Sequence, residues 1–399
     1  MPHPIRQSET DACPGALRLH AAADGPLARV RLPGGLLTGA QLAELAAIAA
    51  EWGDGGLELT SRANVQLRAL TRANPASLAA RLHAAGLLPS QTHEVVRNIA
   101  APPLADESVR ALIRSLDESL CADPALAALP GRFLFALGRV DLTADLAAVP
   151  APDGYAILFA GHDEGLRVPA DEVVTALLAG AHAFLAERAG ADAAAWRLAE
   201  LADGPGRVAR HVSAALGLAL ASASPAPHDK SEMSDEGEGA AALVGLIGQV
   251  DGRVAVGAIV PLGRLTGVQA KVLMDAPRLT LTTARGVVIP DLLPTAATGW
   301  LAALNDADLP VEADSRWSGV TACAGRPGCA KSLADVRADA LDATRHGDGL
   351  PVHWVGCARG CGSPAGAHVR VEATADGYLV RGAPVDGALS EAVSAARRA

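Results

Sequence analysis

A stretch near the start of the chain returns in its second half. Arg29-Val30-Arg31-Leu32-Pro33-Gly34-Gly35-Leu36-Leu37-Thr38-Gly39 recurs in outline as Ala258-Ile259-Val260-Pro261-Leu262-Gly263-Arg264-Leu265-Thr266-Gly267, 228 residues later. Leu57-Glu58-Leu59-Thr60-Ser61-Arg62 likewise returns as Thr280-Leu281-Thr282-Thr283-Ala284-Arg285. Each copy reads as a strand, a helix capped at Thr38 or Thr266, and a strand that turns into another. Asn74-Pro75 opens a further helix in the first copy, with Asn as cap and Pro at the first helical position. Such a chain is expected to build two like α+β half-domains able to pair with each other.

A mixed α/β stretch follows each copy. Behind the first, 107–123 reads as an amphipathic helix, 132–137 and 155–159 as strands, and 170–188 as a helix. Behind the second, 332–344 reads as a helix, 352–355 as a strand and 368–381 as a hairpin before a last helix. The stretch from Ser222 to Gly239 is polar, charged and poor in large apolar groups, which predicts a disordered linker over 219–241.

Four of the six cysteines fall in the last fifth of the chain, as Cys323-x5-Cys329 and Cys357-x3-Cys361, with 27 residues between the pairs. Both pairs lie in loops dense with glycine, Ala322-Cys323-Ala324-Gly325-Arg326-Pro327-Gly328-Cys329 and Gly356-Cys357-Ala358-Arg359-Gly360-Cys361-Gly362. Glycine lets backbone wrap a bulky inorganic cluster and turn N–H groups toward its sulfur, so the pattern reads as an iron–sulfur site with four thiolates. Structural zinc and redox-active thiols compete with that reading, although zinc pairs are usually closer in sequence. A chain of 399 residues can bury a large core without disulfide staples. Cys13 and Cys121 have no partner at useful spacing.

Aromatics make up 3% of the residues and the net charge is −10, which argues against a nucleic-acid partner. The N-terminus has no apolar targeting segment and no run of 18 apolar residues occurs, so the expected setting is cytoplasmic, with no membrane partner. An anionic ligand would need arginines gathered locally against the overall field.

The cysteine pairs, the duplication, and the segments Arg31-Leu32-Pro33-Gly34-Gly35, Leu59-Thr60-Ser61-Arg62-Ala63-Asn64-Val65-Gln66 and Val96-Arg97-Asn98 together resemble the sirohaem-containing sulfite and nitrite reductase superfamily over about residues 12 to 385. The resemblance implies an α+β fold. In it, pseudo-twofold duplicated ferredoxin-like half-domains (12–72 and 242–305) accompany two mixed α/β domains of the nitrite/sulfite reductase type. Of those two, 90–215 lacks cluster ligands and 312–399 carries them. Within the superfamily, the short chain, Ala12-Cys13-Pro14-Gly15-Ala16-Leu17-Arg18 and Gly356-Cys357-Ala358-Arg359-Gly360-Cys361 resemble the precorrin-3B synthases of aerobic cobalamin synthesis.

Cys323, Cys329, Cys357 and Cys361 would then ligate a [4Fe–4S] cluster, Cys361 matching the cysteine that bridges to sirohaem iron in the reductases. Arg31, Arg62 and Arg97 match arginines around the tetrapyrrole or the oxyanion on its face. The reductases carry two lysines in a segment resembling Leu129-Pro130-Gly131-Arg132-Phe133-Leu134-Phe135, where this chain has Arg132 and Leu134. A six-electron reduction consumes many protons and wants cationic donors, so this departure weighs toward the synthase.

The synthase resemblance implies an oxidoreductase of the monooxygenase type. It would hydroxylate the meso carbon C20 of precorrin-3A with molecular oxygen and form a lactone. Arg31, Arg62, Arg68, Arg97, Arg132 and Arg285 would hold the ring's carboxylates. A mononuclear non-haem iron is a further expectation, with sirohaem the lesser one, and the electron donor would be an NADH-linked or ferredoxin-type reductase. His162-Asp163-Glu164 offers an iron site only in part, and His93 and His353 are candidate pocket residues. Two alternatives stand beside it: a sirohaem-dependent sulfite or nitrite reductase, and a non-catalytic iron–sulfur or zinc protein.

Overall fold

The structure is a computed structural model, and it describes residues 11, 13–191, 194–221, 243–364 and 366–399. The chain divides into two compact units. One holds the described residues up to Arg18, Val30–Leu36 and those from Ala79 to 221; the other holds Leu19–Arg29, Leu37–Leu78 and those from 243 to the end.

The second unit contains most of the duplicated half-domains, with Val30, Leu36 and residues 79–84 of the elements below counting with the first. The first copy supplies β1 (His20–Ala22), β2 (Gly25–Val30), β3 (Leu36–Leu37), α1 (Gly39–Trp52), β4 (Leu57–Leu59) and β5 (Val65–Leu67). Helix α2 (Pro75–Ala84) follows, with Asn74 Oδ1 accepting from Ala76 N at 2.9 Å. The second copy supplies β11 (Gly245–Gly248), β12 (Val254–Ala258), β13 (Arg264–Leu265), α6 (Gly267–Leu273), β14 (Leu279–Leu281), β15 (Val287–Leu292) and α7 (Pro294–Asp306). Thr38 and Thr266 both cap their helices through reciprocal bonds with Gln41 and Gln269, a device that contributes about 1 kcal/mol to a helix start.

The sheet orders are β1-β2-β5-β4-β13 and β11-β12-β15-β14-β3. Each copy therefore lends its shortest strand to the other's sheet, Arg264 pairing with Glu58 and Leu265 with Leu57. Two such sheets close by exchange an edge that would otherwise be left open on each.

The α/β stretches share a second topology. In the first unit, β6 (Ile99–Ala100), β7 (Phe135–Leu137), β8 (Leu146–Ala151), β9 (Gly154–Phe159) and β10 (His162–Val168) lie side by side in that order. In the second, β16 (Val320–Ala322), β17 (Val352–Val355), β18 (Val369–Thr374), β19 (Gly377–Val380) and β20 (Ala383–Pro384) do the same. The first three strands of each sheet are parallel and the rest antiparallel.

Helices cover these sheets where their apolar spacing demands. In α3 (Glu107–Ala122) the buried residues are Ile113, Leu116 and Leu120, the stripe of an amphipathic helix. Helix α4 (Val173–Ala189) sets Phe184 against Phe133 at 4.8 Å, and α5 (Gly204–Leu216) completes that core. In the second unit α8 (Val336–Ala343) and α9 (Leu389–Arg398) lie on a core centred on Trp354. Burying each large apolar side chain there contributes about 1.5–3 kcal/mol.

The strand expected at 132–137 begins only at Phe135, because Asp145 holds Leu134 N at 2.8 Å and Phe133 closes a turn onto Pro130. Most of the expected linker, from 222 on, lies outside the described residues. Its described start is tied down, Ala221 N donating to Gly165 O at 2.9 Å. Among the described residues, no helix is long and apolar enough to cross a membrane.

Candidate functional site

The cysteine loops leave the carboxyl ends of two neighbouring parallel strands. Cys323 follows β16 and Cys357 follows β17 by one residue, and Ala322 pairs with Trp354 across them. That end of a parallel sheet is where open α/β folds bind ligands. Cys323 N donates to Trp354 O at 2.9 Å, prolonging the ladder into the first loop, and Leu333 N donates to Gly356 O at 2.8 Å, tying the loops together. The approach is so close that a Cβ on Gly356 would fall 1.8 Å from Ser332 Oγ.

Gly356 N also donates to Cys323 Sγ at 3.3 Å, the kind of bond that tunes cluster sulfur. Cys323, Cys329 and Cys357 are half-buried and Cys361 is exposed. Burial pushes the Cys361 thiol up; Arg359 opposes this, and Cys323, Cys357 and Cys329 add to it. Among the described residues, no group of three or more His, Cys, Asp or Glu side chains is gathered tightly enough for a single metal ion.

Four basic side chains grip the carbonyls of these loops. Arg68 Nη2 donates to Gly328 O at 2.7 Å, Arg337 Nε to Cys323 O at 3.2 Å, and Arg370 Nη2 to Ala358 O at 2.8 Å. His353 Nε2 meets Cys361 O at 3.0 Å while its Nδ1 meets Thr321 Oγ1 at 2.7 Å. In the neutral ring Nε2 donates to this carbonyl and Nδ1 accepts from the hydroxyl. Burial pushes its pKa down to about 4, with Arg285 among the charges that add to this.

Behind the arginines sits a shared carboxylate. Glu58, buried on β4, accepts from Arg337 Nη1 through Oε1, which also lies 3.5 Å from Arg264 Nη1 and 3.7 Å from Arg68 Nε. Its Oε2 accepts from Gln66 Nε2 at 2.9 Å. Asp24 completes the hold on Arg68, with two bonds of 2.9 Å. Arg68, Arg264, Arg337, Pro327, Gly328 and Trp317 help to line a cavity of about 760 Å³ in this unit.

Of the arginines singled out from the sequence, Arg68 and Arg285 come to the cysteine loops within the second unit. Arg285 is half-buried, with Nη2 3.4 Å from where a Cβ on Gly362 would stand, and loss of solvent around it lowers its pKa. Arg62 belongs to the β4–β5 turn of the same unit, its N–H on Thr60 Oγ1 at 3.3 Å. The others are engaged inside the first unit. Arg31 donates to Pro14 O at 3.2 Å, Arg97 forms a two-point pair with Asp117 at 2.6 and 2.7 Å, and Arg132 lies 3.6 Å from Asp11 and over the ring of Trp196.

The repeat that suggested Arg285 is in register one residue away from the sequence reading. Thr60 Oγ1 accepts from Asn64 N, and Thr282 Oγ1 accepts from Gly286 N. Arg285 thus corresponds to Ala63, both in the left-handed region at φ 63° and 54°, and Glu58 corresponds to Thr280. His93 is bonded to Asp123 O and to Ser90 and Thr92, and Asp163 of His162-Asp163-Glu164 is bonded to Arg167. Glu58, Arg337 and Arg370 were not anticipated. A lone Glu between the leucines of a strand was the signal for the first, since β4 is buried on both faces.

The model of the nitrite/sulfite reductase ferredoxin-like half domain matches residues 20–85. A ferredoxin–nitrite reductase of Synechococcus elongatus is 29% identical over 90% of this chain and 79% of its own length. Another, from Leptolyngbya laminosa, is 27% identical over 87% of this chain and 76% of its own. The chain is thus similar over most of its length to ferredoxin–nitrite reductases, and over 20–85 to the nitrite and sulfite reductase half domain. Among solved structures, the NirA protein of Mycobacterium tuberculosis shares the fold, with a TM-score of 0.67 at 21% identity, over 87% of this chain and 70% of that one.

These relatives overturn the expectation of a precorrin-3A hydroxylase: those named are ferredoxin–nitrite reductases, so the oxygenase reaction, precorrin-3A and molecular oxygen are withdrawn. The inference from Arg132 and Leu134 failed for a physical reason. It counted the basic groups of one segment, of which Leu134 is core, while the cationic groups at the cysteine loops come from β5, α8 and β18 or the residues beside them.

Proposed function

We propose that this chain is a reductase of nitrite or sulfite that works with a [4Fe–4S] cluster and sirohaem and receives electrons from a ferredoxin-type donor. The observation that carries the reading is the pair of cysteine loops bonded to each other at the ends of β16 and β17, in a chain that aligns over 90% of its length with a ferredoxin–nitrite reductase.

Cys323, Cys329, Cys357 and Cys361 would hold the cluster, and the bond from Gly356 N to Cys323 Sγ is suited to a sulfur carrying negative charge. Cys361, the exposed one, suits the bridging role that the superfamily resemblance gives it. Cluster and sirohaem together would supply one-electron steps to an oxyanion bound on the macrocycle's face. Arg285, half-buried beside the second cysteine loop, would offer a fixed positive charge to an anion there. The nitrite reading is favoured over sulfite by the names of the curated relatives.

The test is anaerobic purification followed by iron, acid-labile sulfide and visible absorption measurements, then turnover with reduced methyl viologen. Sirohaem bands together with consumption of nitrite or sulfite are expected. Protein that keeps cluster and sirohaem yet turns over neither oxyanion would sink the proposal.

A further inference from the structure

Glu58 lies on β4, at the point where the first half-domain sheet receives β13 from the other copy, and Arg264 is its cross-strand partner. It stands far from the cysteines in sequence, yet its Oε1 is shared by three guanidinium groups, those of Arg337, Arg264 and Arg68. Two of these go on to the Cys323-x5-Cys329 loop. Arg337 holds Cys323 O at 3.2 Å, and Arg68 holds Gly328 O at 2.7 Å, so the loop is gripped next to each of its ligands. The second carboxylate oxygen is fixed by Gln66, itself bonded to Arg29 at 3.1 Å. Its counterpart in the other copy is Thr280, a buried hydroxyl with no charge to offer a guanidinium.

We infer that Glu58 is a positioning residue for the cluster: its carboxylate orients Arg337 on the Cys323 end of the first cysteine loop, stands 3.7 Å from Arg68, which Asp24 fixes on the other end, and its charge offsets theirs. The inference rests on the reductase reading only in taking the loop for a cluster ligand. Buried charges are weakly screened, so loss of the Glu58 charge would leave guanidinium charge uncompensated beside the redox centre and ease its reduction. Loss of one guanidinium would do the opposite.

Two measurements on purified full-length protein test this, with Glu58→Gln, Glu58→Asp, Arg337→Gln and the double variant Glu58→Gln/Arg337→Gln. Amide hydrogen exchange over 323–330 is expected to quicken at least tenfold in Glu58→Gln and to stay near the wild-type rate in Glu58→Asp. The midpoint potential of the cluster is expected to move positive in Glu58→Gln and negative in Arg337→Gln, and to return toward wild type in the double variant. Unchanged exchange in Glu58→Gln, or potentials that move the same way in both single variants, would overturn the inference. Wild-type protein without iron and sulfide would instead refute the reductase reading, and the exchange measurement would still decide whether Glu58 holds the loop.

Discussion

Gly356 donates its backbone N–H to the sulfur of Cys323 at 3.3 Å, so the residue before one cysteine pair serves the sulfur that opens the other. The two loops form one nest built on adjacent strands. Removing a thiolate should therefore disrupt the whole site, and Cys361→Ser is expected to lose the cluster's visible absorption and most of its iron and sulfide. Cys121→Ser, on α3 in the first unit, should retain both. Full iron and sulfide content in Cys361→Ser would remove that residue from the ligand set.

Gly356 is also a steric requirement. Its absent Cβ leaves room for Ser332, whose Oγ would be 1.8 Å away and which is itself buried and bonded to Ala334 O. Gly356→Ala should cost about 1–3 kcal/mol of stability, typical of an overpacked interior, and lower cluster yield. Adding Ser332→Gly should restore part of the thermal midpoint. A Gly356→Ala protein with wild-type midpoint and cluster content would show that the loops separate freely.

The two kinds of sheet were legible in the sequence because duplication and alternation leave local marks, such as Thr38 and Thr266 as caps and Val352–Val355 as a buried strand. The exchange of β3 and β13 was not, because two-residue strands carry no periodicity and their pairing is set by tertiary geometry. The cysteines announced themselves by spacing. Glu58 and Arg337 meet from positions 279 residues apart, and nothing local to either names the other. Arg97 lies within a suggestive motif, and the motif gave no sign that its guanidinium pairs with Asp117, 20 residues away.

Arg97 therefore belongs first to the stability of its own unit. Its pair with Asp117 is two-pointed and well covered, with side-chain exposures of 5% and 17%. Breaking such a pair leaves a carboxylate without its partner, which typically costs about 3–5 kcal/mol. Arg97→Ala should shift the denaturant midpoint of the first unit strongly downward while sparing iron and sulfide content. A midpoint within error of wild type would show that Asp117 finds solvent at little cost.

Cys121, on the same helix as Asp117, supplies a pH signature. Burial pushes its thiol up to about 11, and the Asp117 charge adds to this against the opposing effect of Arg97. An unfolded cysteine ionises near about 8.5, so above that pH the unfolded chain releases a proton that the folded chain keeps. The stability this thiol contributes is thus complete below about 8.5 and is lost as pH rises through about 11. Urea midpoints of the first unit should decline over that window in wild type and less steeply in Cys121→Ala. Alkylation of Cys121 by iodoacetamide at pH 8 should likewise lag well behind that of an unfolded thiol, since only the thiolate attacks. Equal rates for the folded and unfolded protein would show that the thiol is not held protonated.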